Sequence, residues 1–212
     1  MKKTLSILVI VFLGSALSAQ TTVIPDNNFE QELINLGYDN IIDGGVLTSN
    51  INTLTTIDGS SSSIIDLTGI EDFTSLTELR CQNNQLTSLD VNSLTALTWL
   101  ECTSNQLTSL DVSSLISLDN FRCENNQLTS LDVSNNINLN ALNCSSNQLT
   151  NLNLTQINSL TYLNCNNNQL TNLDASDQAL TQLYCSNNPL LTELRCQNNQ
   201  LTSLDVNSLT AL

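Results

Sequence analysis

Leu97–Ser117 reads LTWLECTSNQLTSLDVSSLIS, and the unit before it, Leu76–Ala96, reads LTELRCQNNQLTSLDVNSLTA. The pattern continues at Leu118 (LDNFRCENNQLTSLDVSNNIN), Leu139 (LNALNCSSNQLTNLNLTQINS) and Leu160 (LTYLNCNNNQLTNLDASDQA). The shared frame is LxxLxCxxNQLTxLDVxxxx, with a period of 21 residues that slips to 20 in the unit from Leu160. A more degenerate unit, LTTIDGSSSSIIDLTGIEDFTS, precedes them from Leu54. Such self-similarity marks a repeat architecture, each unit being one small element stacked on the next.

Within a unit, LxC and LDV are runs of period two, which turn alternate side chains to the same side. They predict two short extended segments per unit, separated by a polar Asn-Gln turn and a looser bend. One coil cannot bury its own leucines, but stacked coils can, with parallel strands about 4.8 Å apart around a continuous core. The expected fold class is mostly β: a solenoid of parallel coils with few helices.

Because Leu, Asn and Cys all recur in phase, the units from Leu54 to Leu212 resemble the 21-residue class of secreted bacterial leucine-rich repeats, of internalin or adhesin type. The resemblance implies an arc with a strand-lined concave face and short strands, rather than helices, on the convex side. It also implies protein interaction or adhesion at a bacterial surface.

Ahead of the repeats, IPDNNFEQELINLG (Ile24–Gly37) reads as a short amphipathic helix. Asp26 is the expected N-cap, Phe29, Leu33 and Leu36 share a face, and Gly37 holds the C′ position. The segment resembles the N-terminal lids of secreted leucine-rich-repeat proteins, and a solenoid needs one because its first coil otherwise exposes core. The expected division is a signal peptide at 1–19, a cap at 20–53 and about seven coils at 54–212.

The signal reading rests on Lys2 and Lys3, the apolar run LSILVIVFLG and the small residues of SALSAQ, with cleavage near Ala19 or Ala16. The run is too short to span a bilayer comfortably, and no Cys lies near it to carry a lipid, so secretion or cell-surface display without membrane insertion is expected. Of 212 residues, 20 are acidic, 5 basic and none His. Removing the leader leaves Arg80, Arg122 and Arg195 as the only basic residues, a surface that repels nucleic acid and anionic headgroups.

Three columns follow the repeat. Cys81, Cys102, Cys123, Cys144 and Cys165, then Cys185 and Cys196, hold the inward sixth position. Parallel in-register side chains point alike, which suits a disulfide torsion poorly, and the spacing without His is wrong for zinc, so a column of small buried hydrophobes is expected. Asn84, Asn105, Asn126, Asn147 and Asn168, then Asn188 and Asn199, hold the ninth position, where a buried amide can satisfy the backbone of its own and a neighbouring coil. Asp90, Asp111, Asp132, Asp174 and Asp205 form an acidic column broken by Asn153. Calcium could relieve their repulsion, but no glycine-rich calcium loop accompanies them, and DNIIDGG (Asp39–Gly45) lacks the ligand spacing of one; neither metal nor cofactor is expected.

The outward third, fifth and seventh positions vary while the scaffold repeats. They carry Glu78, Arg80, Trp99, Glu101, Arg122, Glu124, Tyr162 and Tyr184, the candidate ligand-binding residues of the concave face. Aromatic and Arg side chains are those enriched at binding hot spots. The plainer reading makes Arg80–Glu101–Arg122 an alternating-charge ladder. With neither His nor mature-chain Lys, and with carboxylates that follow the repeat instead of breaking it, catalysis is not expected. The expected partner is a protein or a surface glycan, Trp99 and Tyr162 serving in the latter case as stacked sugar platforms; a spacer holding a further domain is the third reading.

Leu76–Leu97 and Leu191–Leu212 are identical letter for letter. Only LTQLYCSNNPL (Leu180–Leu190) separates the second copy from the preceding unit, which places Cys185 and Cys196 eleven residues, about half a turn, apart. The halves of a unit are quasi-equivalent, so LRC at Leu194–Cys196 can take the place of LDV and exchange concave with convex positions. Recent duplication accounts for the identity, and truncation or a misjoined repetitive gene accounts for both the identity and the stop at Leu212 with no lid after it. Should the chain end there, the open last coil is a site for self-association.

Overall fold

The computed structural model describes residues 19–212, so the apolar segment read as a signal lies outside the described residues. The segment ahead of the repeats folds as β1 (Thr21–Val23), α1 (Asn27–Asn35), β2 (Gly45–Leu47) and α2 (Thr48–Ile51), with β1 and β2 antiparallel. Asp26 caps α1 through Oδ1, which accepts from the Asn28 and Phe29 N–H groups. Its Oδ2 accepts from Ile65 and Asp66 at 2.7 and 3.0 Å, so one carboxylate starts the helix and fastens it to the first coil. Gly37 adopts φ +84°, the left-handed C′ conformation that its position predicts. Phe29 and Leu33 are buried, but Leu36 is 41% exposed: as the C-cap it turns off the packed face.

Two further cap contacts have no signal in the repeat pattern. Glu30, fully buried, accepts backbone N–H bonds from Asp43, Gly44 and Gly45, so the DNIIDGG loop is organised by a helix carboxylate. Gly69, at φ +100°, lies against the first strand, where a Cβ would sit 2.5 Å from the Val23 carbonyl oxygen.

The repeats wind as a parallel β-solenoid of about seven turns. β3 (Thr56–Asp58), β4 (Glu78–Arg80), β5 (Trp99–Glu101), β6 (Asn120–Arg122), β7 (Ala141–Asn143), β8 (Tyr162–Asn164), β10 (Gln182–Tyr184) and β12 (Ser203–Asp205) stack in that order into one parallel sheet. β9 (Asn172–Asp174) and β11 (Glu193–Arg195) pair on the opposite side. In each unit Leu side chains, Cys and Val turn inward; Leu97, Leu100, Cys102, Leu107, Val112 and Leu115 are all buried without measurable exposure. Alternation sends the residues flanking Leu100, Trp99 and Glu101, to the outer surface.

The LDV segments depart from expectation. Outside β9 and, in the half-turn-shifted last unit, β12 they form no strand, and among the remaining ones a single bridge, between Asp132 and Asn153, links two across coils. The backbone there is satisfied within its own coil: Asp111 Oδ1 accepts from Ser113 N–H, and Leu115 N–H donates to the Val112 carbonyl. The Asx turn thus replaces the ladder.

The asparagine column knits the coils. Asn126 Oδ1 accepts from Leu107 N–H of the preceding coil, while its Nδ2 donates to the carbonyls of Cys102 and Cys123, one coil each. The preceding residue, Asn125, sits at φ +56°, and the equivalent position is Asn or Ser in every unit, residues that tolerate the left-handed region in a turn. Asn136 is a second buried amide that breaks the pattern, standing where the flanking units carry Leu115 and Ile157.

The half-turn slip is present. Ser203–Leu204–Asp205 pairs with Gln182–Leu183–Tyr184, and Glu193–Leu194–Arg195 pairs with Asn172–Leu173–Asp174. The ELR triplet that lies in the eight-stranded sheet at β4 therefore lies on the opposite side at β11. Arg195 leaves the candidate face and Asp205 enters it beside Tyr184.

Candidate functional site

The outward surface of the eight-stranded sheet carries all eight candidate residues, gathered into two groups. Glu78 and Arg80 lie on β4, Trp99 and Glu101 on β5, and Arg122 on β6, with Glu124 two residues beyond it. Parallel register places Trp99 between Glu78 and Asn120, and Glu101 between Arg80 and Arg122. Both guanidiniums converge on the indole: the central carbons of Arg80 and Arg122 lie 5.7 and 5.6 Å from the Trp99 ring centroid. Those distances are within the range of cation–π attraction, so Trp99 is held between two cations.

The charge ladder does not close as its spacing suggests. Arg80 pairs at 2.5 Å with Glu78 of its own strand, and among the described residues Arg122 makes no ion pair. Both guanidiniums turn toward the indole, which draws Arg80 back along its strand and leaves Glu101 without an ion-pair partner among the described residues. Arg80 is also half-exposed, so its pair with Glu78 contributes little stability.

Tyr162 on β8 and Tyr184 on β10 form the second group, with ring centroids 5.8 Å apart and ring planes at 47°. Tyr162 therefore packs in a tilted pair against its neighbour and not on Trp99, from which β6 and β7 separate it; three strand spacings amount to about 14 Å. The proposed pairing of Trp99 with Tyr162 as stacked platforms is thus replaced by two distinct aromatic centres. Between them Ala141, the small residue of its column, leaves a hollow of about 150 Å³ lined by Asn120, Phe121, Arg122, Ala141, Asn143 and Tyr162. Asn120, Ala141 and Asn143 gain this role only through the register, since none is an anchor type by itself.

The two halves of the face differ in charge. Outward positions of β3 to β6 include Asp58, Glu78, Arg80, Glu101 and Arg122, whereas those of β7, β8 and β10 carry Ala, Asn, Tyr and Gln, charge returning only with Asp205 on β12. Tyr, Ser and Asn are the residues that antibody paratopes use, aromatic area with adaptable hydrogen bonding.

The opposite side holds the acidic column of the LDV segments, apart from Asp205. A groove of about 470 Å³ runs beside Asp66, Glu71, Asp90 and Asp111. The carboxyls of Asp111 and Asp132 are held below the usual range by hydrogen bonds from the next-but-one serine, Ser113 and Ser134 respectively. Among the described residues, no group of three or more His, Cys, Asp or Glu side chains is placed to hold a metal ion. The six thiols from Cys81 to Cys185 are buried and unpaired, and burial pushes those of Cys81, Cys144 and Cys185 up to about 12. They are packing groups, not nucleophiles.

This architecture matches known folds. An internalin C2 from Listeria monocytogenes superposes with a TM-score of 0.69 over 87% of this chain and 91% of that one, at 24% identity. A leucine-rich-repeat protein of Leptospira interrogans gives a TM-score of 0.53 at 25% identity, covering 72% of this chain and 46% of that one. The chain has the leucine-rich-repeat fold. In sequence, this leucine-rich-repeat chain is 40% identical to Internalin J of Listeria monocytogenes over 68 residues, 32% of its own length. It spans 7% of the length of that relative. No protein-family model matches the chain. Among the described residues no helix is long and apolar enough to cross a membrane.

Proposed function

We propose that this leucine-rich-repeat solenoid is a secreted or cell-surface bacterial binding module, non-catalytic, whose eight-stranded sheet face engages a protein partner in adhesion. The carrying observation is the convergence of Arg80 and Arg122 on Trp99, together with the tilted Tyr162–Tyr184 pair on the same face. Repeat scaffolds fix a surface and vary its outward residues, and these are the residue types that supply most binding energy. Their mutual stacking immobilises long side chains before a partner arrives, which lowers the entropic cost of association. The likeness to internalins supports the reading at the level of fold and of a short shared stretch.

The test is binding of the purified, fluorescently labelled chain to intact animal cells and to immobilised matrix proteins. Replacing Trp99, Arg122 and Tyr162 together by Ala removes binding if the face carries it, whereas unchanged binding would favour a spacer. A carbohydrate reading is favoured by one observation, the uncharged Asn, Tyr and Gln surface of β7, β8 and β10. It predicts that enzymatic removal of cell-surface glycans abolishes binding while protein partners fail to be retained.

A further inference from the structure

We infer that the hollow over Ala141 is the anchor pocket of the sheet face and that it seats one phenol, the side chain of a tyrosine presented by the partner. This rests on the reading of that face as protein-binding. Ala141 stands in register between Asn120 and Tyr162, in a column that elsewhere carries Glu78, Trp99 and Gln182. The missing side chain opens a gap one residue wide. Its volume of about 150 Å³ is below the roughly 300–1,000 Å³ of small-molecule sites, so it suits one side chain and not a whole ligand.

The walls select the chemistry. On one side stands Arg122, seated on Trp99 and making no ion pair among the described residues. On the other stands Tyr162, braced by Tyr184. A flat ring entering between them meets a guanidinium and an aromatic ring, both of which favour an aromatic guest. The same guanidinium disfavours Lys or Arg. Asn120 lines the hollow, and its Oδ1 is buried and accepts no hydrogen bond among the described residues, so a turn of this side chain brings the oxygen to a guest. A guest with an O–H group satisfies that acceptor, which Phe or a carboxylate cannot do. Indole could donate too, but its two fused rings are larger than the phenol in a space this small. Phenol is the guest that meets the ring walls, the acceptor and the size together.

The experiment uses the full chain with methyl-labelled alanine and follows the Ala141 methyl signal on titration with p-cresol, the side-chain analogue of tyrosine. Toluene, 3-methylindole, propionate and methyl glucoside serve as comparators. The expected result is that p-cresol shifts the Ala141 signal at concentrations roughly three- to tenfold lower than toluene, the worth of one hydrogen bond. Asn120→Ala then removes the preference for p-cresol over toluene, and Ala141→Leu, which fills the gap, removes the response. Because Ala141→Leu could disturb the coil, Asn120→Ala is the deciding variant. Equal response to toluene and p-cresol overturns the proposal, as does an unmoved Ala141 signal. Shifts with methyl glucoside alone overturn it in favour of a sugar subsite. If p-cresol fails while the triple replacement still abolishes cell binding, the anchor is wrong and the face reading stands; p-cresol binding beside unaffected cell binding keeps the pocket and removes the face.

Discussion

Arg195 lies beside Asp174 on the paired strands β11 and β9, 3.6 Å from guanidinium to carboxylate. Arg80, in an identical stretch of sequence, lies beside Glu101 in the eight-stranded sheet instead. Nothing local distinguishes the two arginines. Their facing is decided by the coil beneath, because eleven residues from Leu180 fill half a turn and the next half falls on the other side. Arg195→Ala is therefore expected to leave binding by the sheet face unchanged, whereas Arg122→Ala weakens it about thirtyfold, the scale of a hot-spot truncation. Dissociation constants of the two variants for the same cell surface check this.

Asp26 predicts a long reach for a single carboxylate. Asp26→Ala removes the α1 cap and releases the N–H groups of Ile65 and Asp66. Loss of a cap costs about 0.5–2 kcal/mol, and the N–H groups of Ile65 and Asp66, on exposed residues, can turn to water instead, so a loss of about 2 kcal/mol is expected. Urea unfolding measures it, and hydrogen exchange places the first opening in the cap and the coil from Leu54, since repeat proteins unfold from destabilised ends.

Asn136 predicts a gain. Its Nδ2 donates to the Val112 and Leu115 carbonyls, but these already accept from Leu115 and Leu118 N–H groups. Its own Oδ1 is buried and accepts nothing. Asn136→Leu thus orphans no group, removes one that is orphaned and restores the residue type of its neighbours. Stability rises by about 1–3 kcal/mol, read as a higher urea midpoint.

The cysteines predict a labelling order. Cys196 is partly exposed, whereas the six preceding thiols are buried and unpaired. Iodoacetamide at neutral pH is expected to modify Cys196 alone in the folded chain, and all seven after unfolding, as mass spectrometry of peptides will show. Raising the pH to 9 does not release Cys81 or Cys144, which titrate only at about 12.

Asp132 predicts an acid limb of stability. The Ser134 backbone N–H and hydroxyl hold its carboxyl below the ordinary value. A carboxyl depressed in the folded state adds stability above its unfolded pKa of about 3.9, and that contribution is lost as pH falls through the lower folded value. Carboxyl NMR should give Asp132 a midpoint below 3.9, and Ser134→Ala should raise it only part of the way, because the backbone donor remains.

The coils were readable because their cause is local: Leu, Cys and Val at alternating positions have only one buried arrangement, and Asn84 to Asn168 occupy a turn that needs both left-handed backbone and amide bonding. Asp26 and Gly37 carry ordinary helix-boundary chemistry. Glu30 and Gly69 were not readable, since their partners lie in the Asp43–Gly45 loop and on β1, contacts that no period encodes. The LDV segments read as strands because they alternate, yet their Asp side chains close turns within one coil. At the candidate site, alternation exposes Trp99 and Arg122, but the choice of indole over Glu101 depends on distances across three strands.

The measurement that tests the account most directly is quantitative cell binding by the intact chain, the triple Trp99, Arg122 and Tyr162 replacement, and Arg195→Ala as the control on the opposite side. The account predicts loss of binding in the triple variant and full binding in the control. Equal binding by all three, or loss in the control alone, would contradict it.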